Sequence, residues 1–165
     1  MPSRTRLMPA VSLLVSTAAG AQQPPPGPPP QMAPAYGPPI SLAQAKKIAR
    51  AAEAAARRAG AEGDVIAIVQ PDGSLVYFEK LDGATYASIE FAQAKARTAA
   101  VLRMPSGPGP NNGPPPLPDL IGLPGGLPIV IGGKTIGAIG VSGTEGAAPG
   151  VNDVVIAKAG LAALE

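Results

Sequence analysis

Histidine and cysteine are both missing from this 165-residue chain, tryptophan is missing too, and three tyrosines and two phenylalanines make up its aromatic content. Without cysteine there are no disulfides, no thiol nucleophile and no thiolate metal ligand; without histidine there is no Ser-His-Asp triad and no zinc site of the usual kind. Long apolar runs are also missing. The longest near the amino terminus, residues 7–15, is interrupted by Pro9 and falls far short of the roughly 20 residues that span a bilayer. Nor is there an excess of one charge. The formal balance is 13 basic against 11 acidic residues, and removing Arg4 and Arg6 with an amino-terminal leader levels it. A near-neutral chain with no basic stripe and no interleaved aromatics has no nucleic-acid footprint.

What is abundant is proline and glycine, 22 and 21 residues, and they divide the chain. Residues 1–21 read as an export signal: Arg4 and Arg6 precede the apolar run, and Ala19, Gly20 and Ala21 supply the small residues of a cleavage site before Gln22. An exported, periplasmic or extracellular protein without a membrane anchor is the expectation. Residues 22–39 are a proline-rich run without apolar period, which suits a solvated spacer. Residues 40–165 are expected to form one domain, interrupted by a Pro/Gly-rich excursion at 105–118.

Within that domain, Ser41 and Gln44 form a capping box ahead of a helix at 42–59, and Gly60 stands at its C-cap. Strands at 65–69 and 75–79 flank the turn Pro71-Asp72-Gly73. Apolar positions Ile89, Ala92, Ala96, Ala99 and Ala100 recur at helical spacing within 85–103. A short strand is expected at 120–123. Gly132-Gly133 hinges a closing hairpin whose second strand, 136–141, is apolar or glycine on both faces and so should be covered on two sides. A helix over 151–164 ends the chain. This order suits an antiparallel sheet with helices packed over it.

Gly133-Lys134-Thr135 imitates the end of a phosphate-binding loop, but Pro128 stands where that motif needs glycine, and a strand follows instead of a helix. Gly137, Gly140 and Gly143 match no dinucleotide fingerprint and suit close packing of a helix on a strand. Lys46, Lys47, Arg50, Arg57 and Arg58 read as the solvated face of the first helix. Tyr77, Phe78, Tyr86 and Phe91 suit core packing, and they are also where a flat apolar ligand would find an aromatic wall. Glu79, Asp82, Glu90 and Asp153 are scattered carboxylates with no readable catalytic spacing.

Taken together, Leu-Ala-Gln-Ala at 42–45, the hairpin at 65–84, the helix at 87–99, the run GGLPIVIGGKTIGAIGVSG at 125–143 and Asp153 with Ala157-Lys158-Ala159-Gly160-Leu161 resemble the GlcG/HbpS-type haem-binding family. The resemblance covers roughly residues 41–164. It implies a profilin-like, three-layer α/β/α sandwich with a five-stranded antiparallel sheet, frequent assembly into homo-oligomers, and haem as a cofactor of exported members. Asp82 with Gly83, Ser88, and Lys95 with Thr98 match family positions, as do Gly125, Gly126, Ser142, Gly143 and Asp153. The resemblance implies that Thr98 stands where a threonine contacts haem iron. It departs from the family in the Pro105–Pro118 excursion, and without histidine only Tyr, Met, Lys or a hydroxyl is left as an axial ligand.

The leading expectation is therefore an exported, oligomeric binding protein for haem or a similar flat small molecule, with Tyr77, Tyr86, Ser88, Asp82, Lys95 and Thr98 as its binding residues and no catalytic residue or metal site. Two alternatives stand beside it. One is an enzyme of the GlcG type acting on small organic acids or carbonyl compounds, with Lys95 as the cation. The other is a structural or assembly subunit.

Overall fold

The computed structural model describes residues 33–109, 113 and 117–164. The expected signal peptide, most of the proline-rich spacer and the centre of the 105–118 excursion lie outside the described residues. The elements are β1 (Ala35–Tyr36), α1 (Leu42–Ala59), β2 (Val65–Val69), β3 (Leu75–Lys80), α2 (Tyr86–Leu102), β4 (Gly126–Ile131), β5 (Lys134–Ser142) and α3 (Asp153–Leu161), with a 3-10 turn at Ala162–Leu164.

β5 is the hub of the sheet. β4 runs antiparallel along one edge of it, from Ile131 opposite Lys134 to Gly126 opposite Gly140. On the other edge, β2 pairs antiparallel with residues 138–142, and β3 continues outward from β2. Beyond the end of β2, the remaining part of that edge is filled by β1, which runs parallel to Lys134 and Thr135.

The sheet therefore has five strands but is mixed, not purely antiparallel as the resemblance implied. The fifth strand is also not the one expected. Residues 120–123 form no strand because their polar groups are engaged elsewhere: the Ile121 N–H donates to the Thr98 hydroxyl at 3.0 Å, and the Leu123 carbonyl accepts from Ser106 Oγ at 2.7 Å. The strand comes instead from the end of the proline-rich run. Tyr36 donates its hydroxyl to the Val101 carbonyl at 2.8 Å, and the Arg103 guanidinium lies 4.7 Å over its ring, so this segment is strapped to the end of α2.

Alternation along the strands builds two cores. Ile66, Ile68, Leu127, Ile129, Ile139 and Val141 face α1 and α3, where Ala45, Ile48, Ala49, Ala52, Ala56, Ile156 and Ala157 meet them. Val65, Ala67, Val69 and Ala138 face α2 and its Ala92, Ala96, Ala99 and Ala100. The result is an α/β/α sandwich with α1 and α3 on one side and α2 on the other. A bulge in β5 opposite Ile129 and Val130 lets Ile136 join Ile139 on the α1 side. At the hairpin tip, Gly132 and Gly133 have φ of 57° and 73°, the left-handed pair that a two-residue turn of matching twist requires.

The local signals act as read. Ser41 and Gln44 satisfy each other's backbone at the start of α1, and Gly60 is left-handed at its end. Thr85 caps α2 by accepting from the Ser88 N–H. Next to the 105–118 excursion, Ser106 is tied to the start of β4: its N–H donates to the Gly126 carbonyl at 2.9 Å, and Gly126 N–H donates to Ser106 Oγ at 2.8 Å.

Candidate functional site

The residues singled out by sequence do not form one site; the fold distributes them over four places. Lys95 is in the first. From the middle of α2 its side chain runs under the end of β5, 4% exposed, and Nζ donates to the Val141 carbonyl and Ser142 Oγ, both at 3.1 Å, and to Asp153 Oδ2 at 2.5 Å. The other Asp153 oxygen accepts from the Thr144 hydroxyl and, at 3.3 Å, from the Thr144 N–H. Asp153 therefore ties the β5–α3 connection, while its neighbour Asn152 caps α3 through the Val155 N–H. Gly125 packs against the Asp153 side chain and the Val141 carbonyl, so five positions of the family pattern converge here: Lys95, Gly125, Ser142, Gly143 and Asp153.

Asp64 completes this cluster and was not foreseen. It is fully buried, neither carboxyl oxygen has a hydrogen-bond partner, and its pKa is pushed up to about 7. Burial is the main cause and the negative charge of Asp153 the next, while the Thr144 hydroxyl and Lys95 oppose them. By sequence Asp64 is an ordinary polar residue between a glycine and a strand. Only the return of the chain at 143–145 encloses it.

Thr98 is in the second place, on α2 beside the 117–123 segment. Its hydroxyl donates to the Ala94 carbonyl at 2.8 Å and accepts from the Ile121 N–H, and the residue is 1% exposed. An iron contact through this oxygen, as the resemblance implied, needs the 117–123 segment to uncover it, since the hydroxyl is buried there. Next to it opens a cleft of about 370 Å³ between α2 and the β2–β3 turn, lined by Val69, Gly73, Leu75, Glu90, Gln93, Ala94, Arg97 and Asp119.

Ser88, Tyr86 and Asp82 share the third place, the entry to α2. Ser88 is buried in the cap with Thr85 Oγ1 at 2.9 Å; Tyr86 is 86% exposed; Asp82 is exposed in the preceding turn. Tyr77 is on the opposite side of the sheet, packed toward α1, with its hydroxyl donating to Glu79 Oε2 at 3.2 Å. Four aromatics therefore make no wall. Tyr77 and Phe78 are consecutive on a strand and point to opposite faces, while Tyr86 and Phe91 lie on the outer side of α2.

Two further features bear on chemistry. The basic residues of α1 are exposed as expected, and Lys46, Lys47 and Arg50 line an open groove of about 540 Å³ with Ala43, Ala51 and Ala163. Among the described residues, no group of three or more His, Cys, Asp or Glu is placed to hold a metal ion. Lys95, the cation of the enzyme reading, has its ammonium enclosed and all three of its donor directions engaged.

The fold, an α/β/α sandwich around a mixed five-stranded sheet, and the signature residues gathered at the end of β5 define a class. Residues 40–162 match the family described as haem degrading protein, HbpS-like, and the chain belongs to that family. A 15.0 kDa uncharacterised protein of Citrobacter freundii, from its dhaT-dhaS intergenic region, is 35% identical over 115 residues, which are 63% of this chain and 80% of the relative. HbpS of Streptomyces reticuli, solved as a double mutant, has a TM-score of 0.66 at 26% identity, covering 95% of this chain and 99% of its own. The structure of a PduOC:heme complex has a TM-score of 0.63 over 76% of this chain and 94% of its own; at 23% identity this likeness concerns the fold alone.

Proposed function

We propose that this chain binds haem, or a similarly flat apolar small molecule, in the cleft between α2 and the β2–β3 turn, and that it does so as an exported oligomer. One observation carries the reading: in a member of a haem-related family, an open cleft lies against the helix that bears Thr98, and Arg97 is its cationic lining residue among the described residues. Haem is an apolar plate carrying two carboxylates. Leu75 and Ala94 offer apolar surface to the plate, and Arg97 offers a forked donor to a carboxylate. The lining fits the plate and, at Arg97, one propionate, while the carboxylates Glu90 and Asp119 turn the second propionate toward solvent; none supplies a strong axial donor, since Thr98 is buried and histidine is lacking. Bound haem would supply redox and oxygen chemistry; the chain's own contribution is to enclose and orient it.

Titration of the exported protein with haemin is expected to give a shifted Soret band at micromolar protein. Arg97→Glu is expected to weaken binding about tenfold or more, because a charged hydrogen bond contributes about 1.5–3 kcal/mol. An unshifted band, or an unchanged affinity in Arg97→Glu, contradicts the reading. Export rests on the leader pattern of residues 1–21, and mass spectrometry of the exported protein is expected to find Gln22 at the amino terminus.

A further inference from the structure

Asp64 is the one fully buried carboxyl among the described residues, and neither of its oxygens is paired there by a hydrogen bond. Its backbone is fixed on both sides: its N–H donates to the Ala61 carbonyl at 3.3 Å, and its carbonyl accepts from the Leu81 N–H at 2.9 Å. The side chain therefore stays inside unless the segment above it moves. That segment is the β5–α3 connection, where the Gly143 backbone sits directly on Gly63 and Asp64. Thr144 is held on Asp153, and Ala148 N–H is tied to the Ala59 carbonyl at 2.9 Å.

The charged groups facing Asp64 are Asp153 from α3, Glu145 from the connection and Lys95 from α2. Glu62, Lys80 and Asp82, in the adjoining turns and strand, are exposed. Two of the three facing groups are acidic. The third, Lys95, is already bound to Asp153, Val141 and Ser142.

We propose that Asp64 is a buried proton switch: the connection 143–152 is closed over Gly63 and Asp64 while Asp64 carries its proton, and it opens when that proton leaves. The nearest donor to an ionised carboxylate in this position is the Thr144 hydroxyl, whose one hydrogen is already given to Asp153, and a second carboxylate faces it, so it is stable only with water. Water reaches it by displacing Thr144 and Glu145. The same displacement loosens Asp153 and brings solvent to Lys95, which couples the switch to the first polar cluster.

The direction of the effect follows from linkage. Asp64 titrates at about 7 when enclosed, against about 3.9 for a free aspartate. The closed form holds the extra proton between these values, so the stability gained from it is complete below about pH 4 and lost as pH rises through about 7. Those two values give roughly a hundredfold more opening at pH 8 than at pH 5.

Hydrogen exchange of the full chain, corrected for the intrinsic pH dependence of exchange, tests this. Protection of residues 143–152 is expected to fall roughly a hundredfold between about pH 5 and pH 8 while the centre of β5 stays protected, and Asp64→Asn is expected to remove the pH dependence. Constant protection in the wild type overturns the proposal, and so does an unchanged fall in Asp64→Asn. If that variant does not fold, the 13C titration of the Asp64 carboxyl in the wild type decides. A neutral midpoint supports the switch, and an ordinary aspartate midpoint overturns it.

Discussion

Gly140→Val is expected to abolish cooperative folding. Gly140 lies near the end of β5, paired with Ala67 of β2 on one edge and Gly126 of β4 on the other. A Cβ at this position would overlap the Ala92 carbonyl oxygen and the Ala96 nitrogen of α2, both backbone atoms. α2 approaches so closely because the side of it that meets the sheet is alanine: Ala92, Ala96, Ala99 and Ala100. No long side chain is present to yield, so the whole helix must lift. Overpacking an ordinary core costs about 1–3 kcal/mol. Here the added bulk meets backbone and separates two layers, against a total stability of about 5–15 kcal/mol for a typical domain. A thermal melt of Gly140→Val is expected to show no transition. A midpoint within a few degrees of the wild type would mean that α2 does not lie on the strand as described.

Lys95→Met is expected to destabilise the protein by about 3 kcal/mol, the lower end of the range for breaking a buried ion pair, because Asp153 keeps some access to water. Methionine preserves most of the side-chain volume, so the loss reports charge and hydrogen bonding instead of a cavity. Three acceptors lose their donor at once: Asp153 Oδ2, the Val141 carbonyl and Ser142 Oγ. Adding Asp153→Asn removes the stranded charge while leaving an oxygen for Thr144. The double variant is therefore expected to recover part of the loss, and chemical denaturation of the four proteins in the cycle measures the coupling. Strictly additive losses would contradict the ion pair.

Elements whose instructions are local were legible in the sequence. α1 is bounded by Ser41, Gln44 and Gly60, whose effects act within one helical turn, and the β4–β5 hairpin is fixed by two adjacent glycines. β1 was not legible. Two residues at the end of a proline-rich run become a strand only because Tyr36 and Arg103, 67 positions apart, hold them at an edge that β2 leaves vacant. The strand expected at 120–123 failed for the converse reason, since Thr98 and Ser106 take its polar groups.

The candidate sites divide in the same way. Lys95, Ser142 and Asp153 were marked by family pattern, and the structure joins them. Their partners Asp64 and Thr144 carry no signal of their own, because burial is a property of the assembled layers. The aromatic wall was a matter of proximity in sequence, and strand alternation separates Tyr77 from Phe78 across the sheet.

A flat ligand held against α2 by the cleft at Arg97 lies beside Leu75 and Ala94. Ferric haem is paramagnetic, so haemin added to 15N-labelled protein broadens the amide signals nearest to it. Selective broadening at Leu75, Ala94 and Arg97 is expected. Broadening centred instead on Lys46, Lys47 and Arg50 along α1, or spread evenly over the surface, would contradict it.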